Sequence, residues 1–426
     1  MRIQIAIFLL IFYINKVSCQ HQVTPDFKEV MPIFSSKCGR CHNASISAPF
    51  NLLSYKNIVS KAPMIKKVIA ENIMPPVIID TAFRMFDNVI SLTADERKLI
   101  VSWIDGGMKN EANVKVKSES IKRSFYKPNF EINFDDKLVL GGVNRDQYFF
   151  QLTDIKLKDT AFISRYDYVI KNKHLHHAEV LDIHNHDSLP STFNSLTSDY
   201  VLNDKRISIN RYLLGWFPGS TGGVFPKQTG IKIFPDKRYQ KILHYSPTLE
   251  KHIDKSYIAL KLTSKRDTTI REIFEYALYG TRRYIQENRG LPFLKAEEIK
   301  EFYYVDTLNT DLSAFAIYFH AHHLCRNMKA FAITPQQDTI NLLKIYDWNF
   351  NWQFTYRLDK YLKIPKGSAI HCKAIYDNSS SNIHNPNIPS KDVMASFFSE
   401  DEMLEFFILY LNYIEGDENK KIEYYE

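Results

Sequence analysis

Apolar positions along the chain fall into three textures. The first is an unbroken apolar run from Ile5 to Ile14, preceded by Arg2 and followed by Lys16, Val17 and Ser18. A positive start, about ten apolar residues and a small-residue end have the form of a secretory signal, residues 1–19. The run is shorter than the roughly 20 residues that a bilayer span needs. The second texture is helical: Leu99, Ile100, Trp103 and Ile104 form one apolar stripe. Thr93 stands at the N-cap position, Asp95 and Glu96 fall in the first turn, and Gly106-Gly107 closes the helix. From Lys109 to Lys127 the chain is charged and poor in apolar residues, which predicts a linker over 111–127. The third texture follows: short alternating runs such as Asp146 to Leu152 and Tyr166 to Ile170, which predict an all-β sandwich or jelly roll. Helical texture returns only in patches, at Ile270 to Asn288 and Asp401 to Leu411.

Composition narrows the function classes. With 426 residues, 45% hydrophobic and 24% charged, the chain is an ordinary globular one, long enough for two to four domains. No Gly-rich phosphate or dinucleotide fingerprint occurs among its 14 glycines. The net charge of +7 is scattered among acids, so nucleic-acid binding has no support. No second long apolar segment follows the signal, so no integral membrane span is expected, and a periplasmic or secreted location is. Lys16 suits a lipid-anchoring motif at Cys19 poorly, which favours soluble export. The chemistry therefore rests on five cysteines and fourteen histidines.

Cys38-Gly39-Arg40-Cys41-His42 is the C-x-x-C-H pattern of covalent haem attachment. Two thiols at this spacing add across the haem vinyl groups, and the adjacent His lies beneath the iron as axial ligand. A zinc site would need two further ligands nearby, and none is present. Met74 is the expected second axial ligand, because Pro75 and Pro76 forbid a helix and fix the backbone beneath the thioether. Met64, Met85 and Met108 lack such a frame, and Met31 lies upstream of the motif. The segment 25–110 resembles small class I cytochromes c, which implies a small all-α domain carrying haem c.

Three histidine clusters lie in the β region: His174 to His177, His244, and His320 to His323. His320 and His322 are two apart, so a strand projects both rings to one face, where they can share a metal. Imidazole suits copper, zinc or iron. Downstream come Tyr346 to Gln353, Ile375 to Ser379, Asn385-Pro386-Asn387 and Glu402-Met403.

The order of these motifs, a His-His pair, a lone His, an H-x-H and a Glu-Met, resembles the copper type II, ascorbate-dependent monooxygenases, including the peptidylglycine α-hydroxylating and dopamine β-monooxygenases. The resemblance covers about residues 128 to 415. It implies two all-β sandwich copper domains, 128–265 and 266–415, ahead of a charged tail, 416–426. It implies an electron-transfer copper on His176, His177 and His244, and an oxygen-binding copper on His320, His322 and Met403. A soft thioether stabilises Cu(I), the form that binds dioxygen. On a regular strand His176 and His177 point to opposite faces, so the mapping requires irregular backbone, with His174 as the alternative.

The implied activity is a copper-dependent monooxygenase that hydroxylates a C–H bond of a small organic substrate with dioxygen. Electrons would be supplied or relayed by the haem domain, with an external reductant or redox partner behind it. Peptide-amidating relatives carry an Arg two residues before the H-x-H, whereas Tyr318 stands here, which argues against peptide amidation. The competing readings are a haem–copper electron carrier without enzymatic activity and, with less support, a zinc hydrolase. Cys325 and Cys372 are expected to form a disulfide, as exported cysteines outside a haem motif commonly do.

Overall fold

The structure is a computed structural model that describes residues 24–42, 50–111, 127–134, 139–155, 157–184, 192–194, 208–217, 222–223, 225–235, 237–264, 269–350, 352–396 and 398–425. The expected signal, 1–19, and the linker from 112 to 126 lie outside the described residues.

The N-terminal part is helical. Asp26 and Glu29 form a capping box that starts α1 (Phe27–Ile33), and a π-helical turn, Phe34–Cys38, carries the chain into the cysteine motif. Ser54 caps α2 (Tyr55–Ala70). Thr93 and Glu96 form a second capping box for α3 (Ala94–Asp105), where the apolar stripe places it. Phe27, Phe34, Ile58, Ile100 and Trp103 build a separate small core. The buried Trp103 donates its indole N–H to the Lys109 carbonyl at 3.0 Å.

The remainder is β. One five-stranded sheet has the order β6 (Thr192–Asn194), β3 (Gln147–Asp154), β9 (Arg238–Tyr245), β5 (Leu175–His184), β7 (Ser208–Trp216). A second has β1 (Phe130–Asn133), β11 (Tyr257–Ser264), β4 (Ala161–Val169), β8 (Thr229–Ile233), β12 (Arg271–Glu272), and β10 (His252–Ile253) pairs with β2 (Val139–Leu140). Towards the C-terminus one four-stranded sheet runs β13 (Phe274–Tyr279), β20 (Glu405–Asn412), β15 (Leu312–His320), β18 (Tyr356–Ile364). The other runs β14 (Ile299–Thr307), β19 (Ala369–Asp377), β16 (Cys325–Ile333), β17 (Thr339–Ile345). The four larger sheets contribute side chains to one continuous buried cluster.

Two helical expectations are corrected. Residues 401–411 are largely strand, because Glu405–Asn412 pairs on both sides, with β13 and β15. A strand flanked by neighbours and buried on both faces carries a continuous apolar run, which periodicity cannot separate from a buried helix. The stretch from 270 to 288 divides into β12, β13 and only then α4 (Gly280–Glu287).

The disulfide expectation is also corrected. Cys325 and Cys372 are both buried free thiols on the neighbouring strands β16 and β19. The register sets Cys325 opposite Tyr376 and Cys372 opposite Ala330. That offset is about 13 Å along the strands at roughly 3.3 Å per residue, beyond the roughly 7 Å Cα limit for a bridge.

The charged C-terminal stretch is packed against the body. Asp417 is 0% exposed and accepts hydrogen bonds from Arg271, Ser313 and Lys420. Tyr424 donates to a carbonyl oxygen, either that of Phe315 or that of Leu358.

One segment of the N-terminal part joins the β body. Ile79 bridges to Ile345, Asp80 N–H donates to the Lys344 carbonyl at 2.9 Å, and Asp87 N–H donates to the Arg357 carbonyl at 2.8 Å. Ile79 and Phe86 are members of the large core and not of the helical one. Residues 78–88 thus form a strap over β17 and β18, the edge strands of the two C-terminal sheets. Among the described residues, no helix is long and apolar enough to cross a membrane.

Candidate metal centres

The first histidine set is assembled by a bulge. Across β5 and β9, Leu175 pairs with Tyr245 and His177 with His244, so two residues of β5 span one step of β9. His176 is the extra residue, and a bulge re-aims a side chain that regular alternation would send to the other face. The irregular backbone that the His-His pair requires is therefore present. His177 Nδ1 lies 3.5 Å from His176 Nδ1 and 3.1 Å from His244 Nδ1. The ligand atoms of His176, His177 and His244 all lie within 4.8 Å of one another. Three nitrogens about 2 Å from a common ion stand about 3–3.5 Å apart, so these three can hold one metal.

His174, the alternative, is not in this set. Its ring lies against His252 at 5.0 Å, and its carbonyl accepts the Ser246 N–H on the far side of the bulge.

Three residues outside the expected set frame His244. Asp146 Oδ1 stands 3.1 Å from its Nε2, and Tyr148 stacks on its ring at 4.2 Å and 10°. Ser399 donates its hydroxyl to Asp146, and its N–H to the Tyr148 hydroxyl at 2.9 Å. Burial pushes Asp146 up, but the hydrogen bond and charge of His244 and the Ser399 hydroxyl outweigh it and hold the carboxylate below its usual range. Burial, reinforced by His244 and His176, drives His177 well below the ordinary imidazole value, so it is neutral and keeps a lone pair for a metal.

His320 ends β15 and His322 follows it, both buried. Gln353 Nε2 donates to the Phe350 carbonyl at 3.0 Å, which turns its Oε1 to His320 Nδ1 at 2.6 Å. The Asp401 carbonyl stands 2.9 Å from His322 Nδ1. An oxygen that can only accept fixes the proton on Nδ1, so both rings present Nε2 as the free lone pair. Burial pushes His320 down to about 4, against the pull of Gln353. Met403, also buried, lies on the adjoining segment, two residues before Glu405, which pairs with His320.

Glu402 ties these pieces together. It is 0% exposed, and its carboxylate accepts the backbone N–H groups of His322 at 2.9 Å, Met403 at 3.1 Å and Leu324. Burial pushes it up to about 8 despite these three donors. The Glu402-Met403 pair is visible in the sequence, but no local pattern marks a task for Glu402, Gln353 or Asp146. Alternation does carry a trace: Gln353 sits between Trp352 and Phe354, a polar residue in an aromatic run.

The two histidine sets adjoin. His177 and His320 rings are 6.5 Å apart, with Phe217 at 5.6 Å from the first and 5.9 Å from the second. Phe350 stacks on His176 at 4.7 Å and meets His322 edge-on at 5.4 Å.

In the helical part, Cys38 and Cys41 are free, half-buried and one turn apart. Burial pushes their thiols up to about 12 and about 11, so neither is a thiolate nucleophile at neutral pH. His42 Nδ1 stands 3.1 Å from the Phe50 carbonyl, leaving Nε2 available. Met74 is 39% exposed, in the turn that follows α2. The thiol pair and the His42 lone pair fit a covalently held haem.

Comparison with known proteins adds the following. No curated protein matches the chain. Among solved structures, the chain aligns with PNGF-II at 9% identity and TM-score 0.27, over 68% of this chain and 64% of that one. It also aligns with a structure of infectious bursal disease virus Gt strain at 10% identity and TM-score 0.14, over 70% of this chain and 88% of that one. The exported protein XepA of PBSX aligns at 8% identity and TM-score 0.11, over 59% of this chain and 87% of that one. Scores this low carry no argument about the fold. The informative match is to a sequence family: residues 293–422, which include His320, His322 and Met403, match the C-terminal domain of the copper type II ascorbate-dependent monooxygenases.

Proposed function

We propose that the protein is a copper-dependent monooxygenase that hydroxylates a C–H bond of a small organic substrate, with electrons relayed by its own c-type haem domain. The overall change is R–H, dioxygen, two electrons and two protons giving R–OH and water. The observation that carries the reading is the convergence of three imidazole Nδ1 atoms at the His176 bulge, beside an H-x-H pair inside the segment that matches the copper family.

In this reading His176, His177 and His244 hold one copper, and His320, His322 and Met403 the other. Cys38 and Cys41 would attach a haem, and His42 and Met74 would hold its iron. The metals supply one-electron transfer and the reduction of dioxygen. The chain supplies the rest. Gln353 and the Asp401 carbonyl hold His320 and His322 with Nε2 free. Asp146 and Tyr148 flank His244, and Phe217 and Phe350 each set an apolar ring against a histidine of both sets. Glu402 holds the Met403 backbone against the turn after His322.

The domain reading that goes with this is a haem domain over 25–110 and two copper sandwiches over 128–265 and 266–415, exported through residues 1–19. Metal analysis of the purified protein should give two coppers and one iron. Products formed with ¹⁸O₂, copper and reductant should carry one labelled oxygen on carbon, read by mass spectrometry. A non-enzymatic haem–copper carrier would bind the metals and label nothing. Met403→Ala should abolish labelling while the His176 set keeps its copper.

A further inference from the structure

Outside the two histidine sets, His174 and His252 lie against each other, with ring centroids 5.0 Å apart at 36°. Both Nε2 atoms are shielded from solvent, and neither has a hydrogen-bond partner. We propose that His174, His252 and Glu250 bind a divalent transition metal of the zinc class, at a site separate from the proposed copper centres. The inference does not rest on the functional reading above.

Buried polar atoms of folded proteins are nearly always paired, so two unpaired nitrogens on neighbouring rings call for an occupant. The ring spacing suits an ion. Within the His176 set the three centroid distances are 4.6, 5.0 and 5.7 Å, and the His174–His252 distance falls inside that range. The third donor is Glu250, whose Oε2 stands 3.6 Å from His252 Nε2. That is close to the roughly 3–3.5 Å between two atoms that share one ion. The Glu250 side chain is 78% exposed, so it can swing onto an ion that both rings hold. Two imidazoles and a carboxylate are a zinc donor set, with water in the open position.

Backbone contacts hold the two rings from separate sides. His174 N–H donates to Asn172 Oδ1 at 2.9 Å, and the His174 carbonyl accepts the Ser246 N–H at 2.8 Å. His252 is fixed by β10, where it pairs with Leu140 of β2. Glu250 N–H donates to Thr248 Oγ1 at 3.3 Å, and Thr248 is bridged to Val143. An ion here would clip the β2–β10 pair to the start of β5. The His252 side chain is 28% exposed, which leaves the ion a way in. His174 precedes β5 and is not among the ligand atoms that cluster at His176, His177 and His244.

A water bridging the two nitrogens is the competing occupant, and it needs no metal. Copper(II) outcompetes zinc at most nitrogen and oxygen sites, so the test uses Zn(II) alone. The full chain, purified free of copper, is equilibrated with Zn(II), and retained zinc is counted by elemental mass spectrometry. His252→Ala should hold one zinc fewer than the unaltered chain. His174→Ala should also lose one, and the double variant no more than one. Glu250→Gln should bind that ion at least about ten-fold more weakly. After separate loading with copper, His252→Ala should keep the cupric EPR signal of the His176 set. Equal zinc counts in the unaltered and His252→Ala proteins overturn the site. So do a double variant that loses two ions, an unweakened Glu250→Gln protein, or a lost EPR signal in a folded His252→Ala protein. Circular dichroism reports the fold, and if His174→Ala does not fold, His252→Ala and Glu250→Gln decide.

Discussion

His177 and His244 face each other across β5 and β9 with their Nδ1 atoms 3.1 Å apart, because His176 is the extra residue of a bulge. The arrangement depends on His244 holding its rotation, between the Tyr148 ring stacked on it and the Asp146 carboxylate 3.1 Å from its Nε2. Asp146→Asn should therefore weaken Cu(II) binding at this set by about 10- to 100-fold. Competition with a chelator, in a His320→Ala/His322→Ala background so that one site is read, measures it.

Gln353 offers His320 a carbonyl oxygen that cannot donate. Gln353→Leu removes the acceptor and frees the ring to choose its tautomer, so copper affinity at the His320/His322 set should fall by about 10- to 100-fold. The His176 set should keep its cupric EPR signal, which separates loss of positioning from general unfolding.

The Glu402 carboxylate holds three backbone N–H groups at 0% exposure. Glu402→Ala leaves buried donors without a partner, and each costs about 1–3 kcal/mol. The expected result is a lower urea midpoint together with lost copper at the His320/His322 set, because the Met403 backbone is released with the turn.

Burial pushes the Asp417 carboxyl up, but Arg271, Ser313 and Lys420 outweigh it and hold the group well below the usual carboxylate range. A carboxyl lowered on folding stabilises above its unfolded value, near pH 4, and loses that contribution as pH falls towards its folded value. Asp417→Asn should cost about 3 kcal/mol at pH 7, and the loss should shrink below about pH 4. Urea unfolding between pH 3 and pH 7 measures both limbs.

Cys325 and Cys372 lie on adjacent strands but about 13 Å apart along them, by the register that pairs Cys325 with Tyr376. Alkylation of the denatured, unreduced protein should label both thiols in mass spectrometry. Adding reductant to the folded protein should leave its melting temperature unchanged.

The residues that sequence reading located share a local signal. Thr93 and Glu96 cap a helix within one turn, and C-x-x-C-H and H-x-H need only the spacing along their own segment. What it missed is set by partners far away in the chain. Whether 401–411 is helix or strand depends on β13 and β15 lying on either side. Gln353 reaches His320 across 33 residues and Asp146 reaches Ser399 across 253, and nothing local at either end marks the pairing. The bulge at His176 lies between these cases, since the His-His pair demanded irregular backbone and left its form open.

The strap also has a bearing on solubility. β17 and β18 would each offer a row of unpaired N–H and C=O groups, and residues 78–88 cover both, with Ile422 donating to the Asp359 carbonyl farther along β18. Bare edges of this kind recruit strands from other molecules. A fragment begun at residue 128 would keep most of the histidine ligands yet lose this cover. Self-association of such a fragment, relieved by adding back a peptide spanning 76–90, would identify the helical part as a guard against aggregation, separately from any electrons it carries.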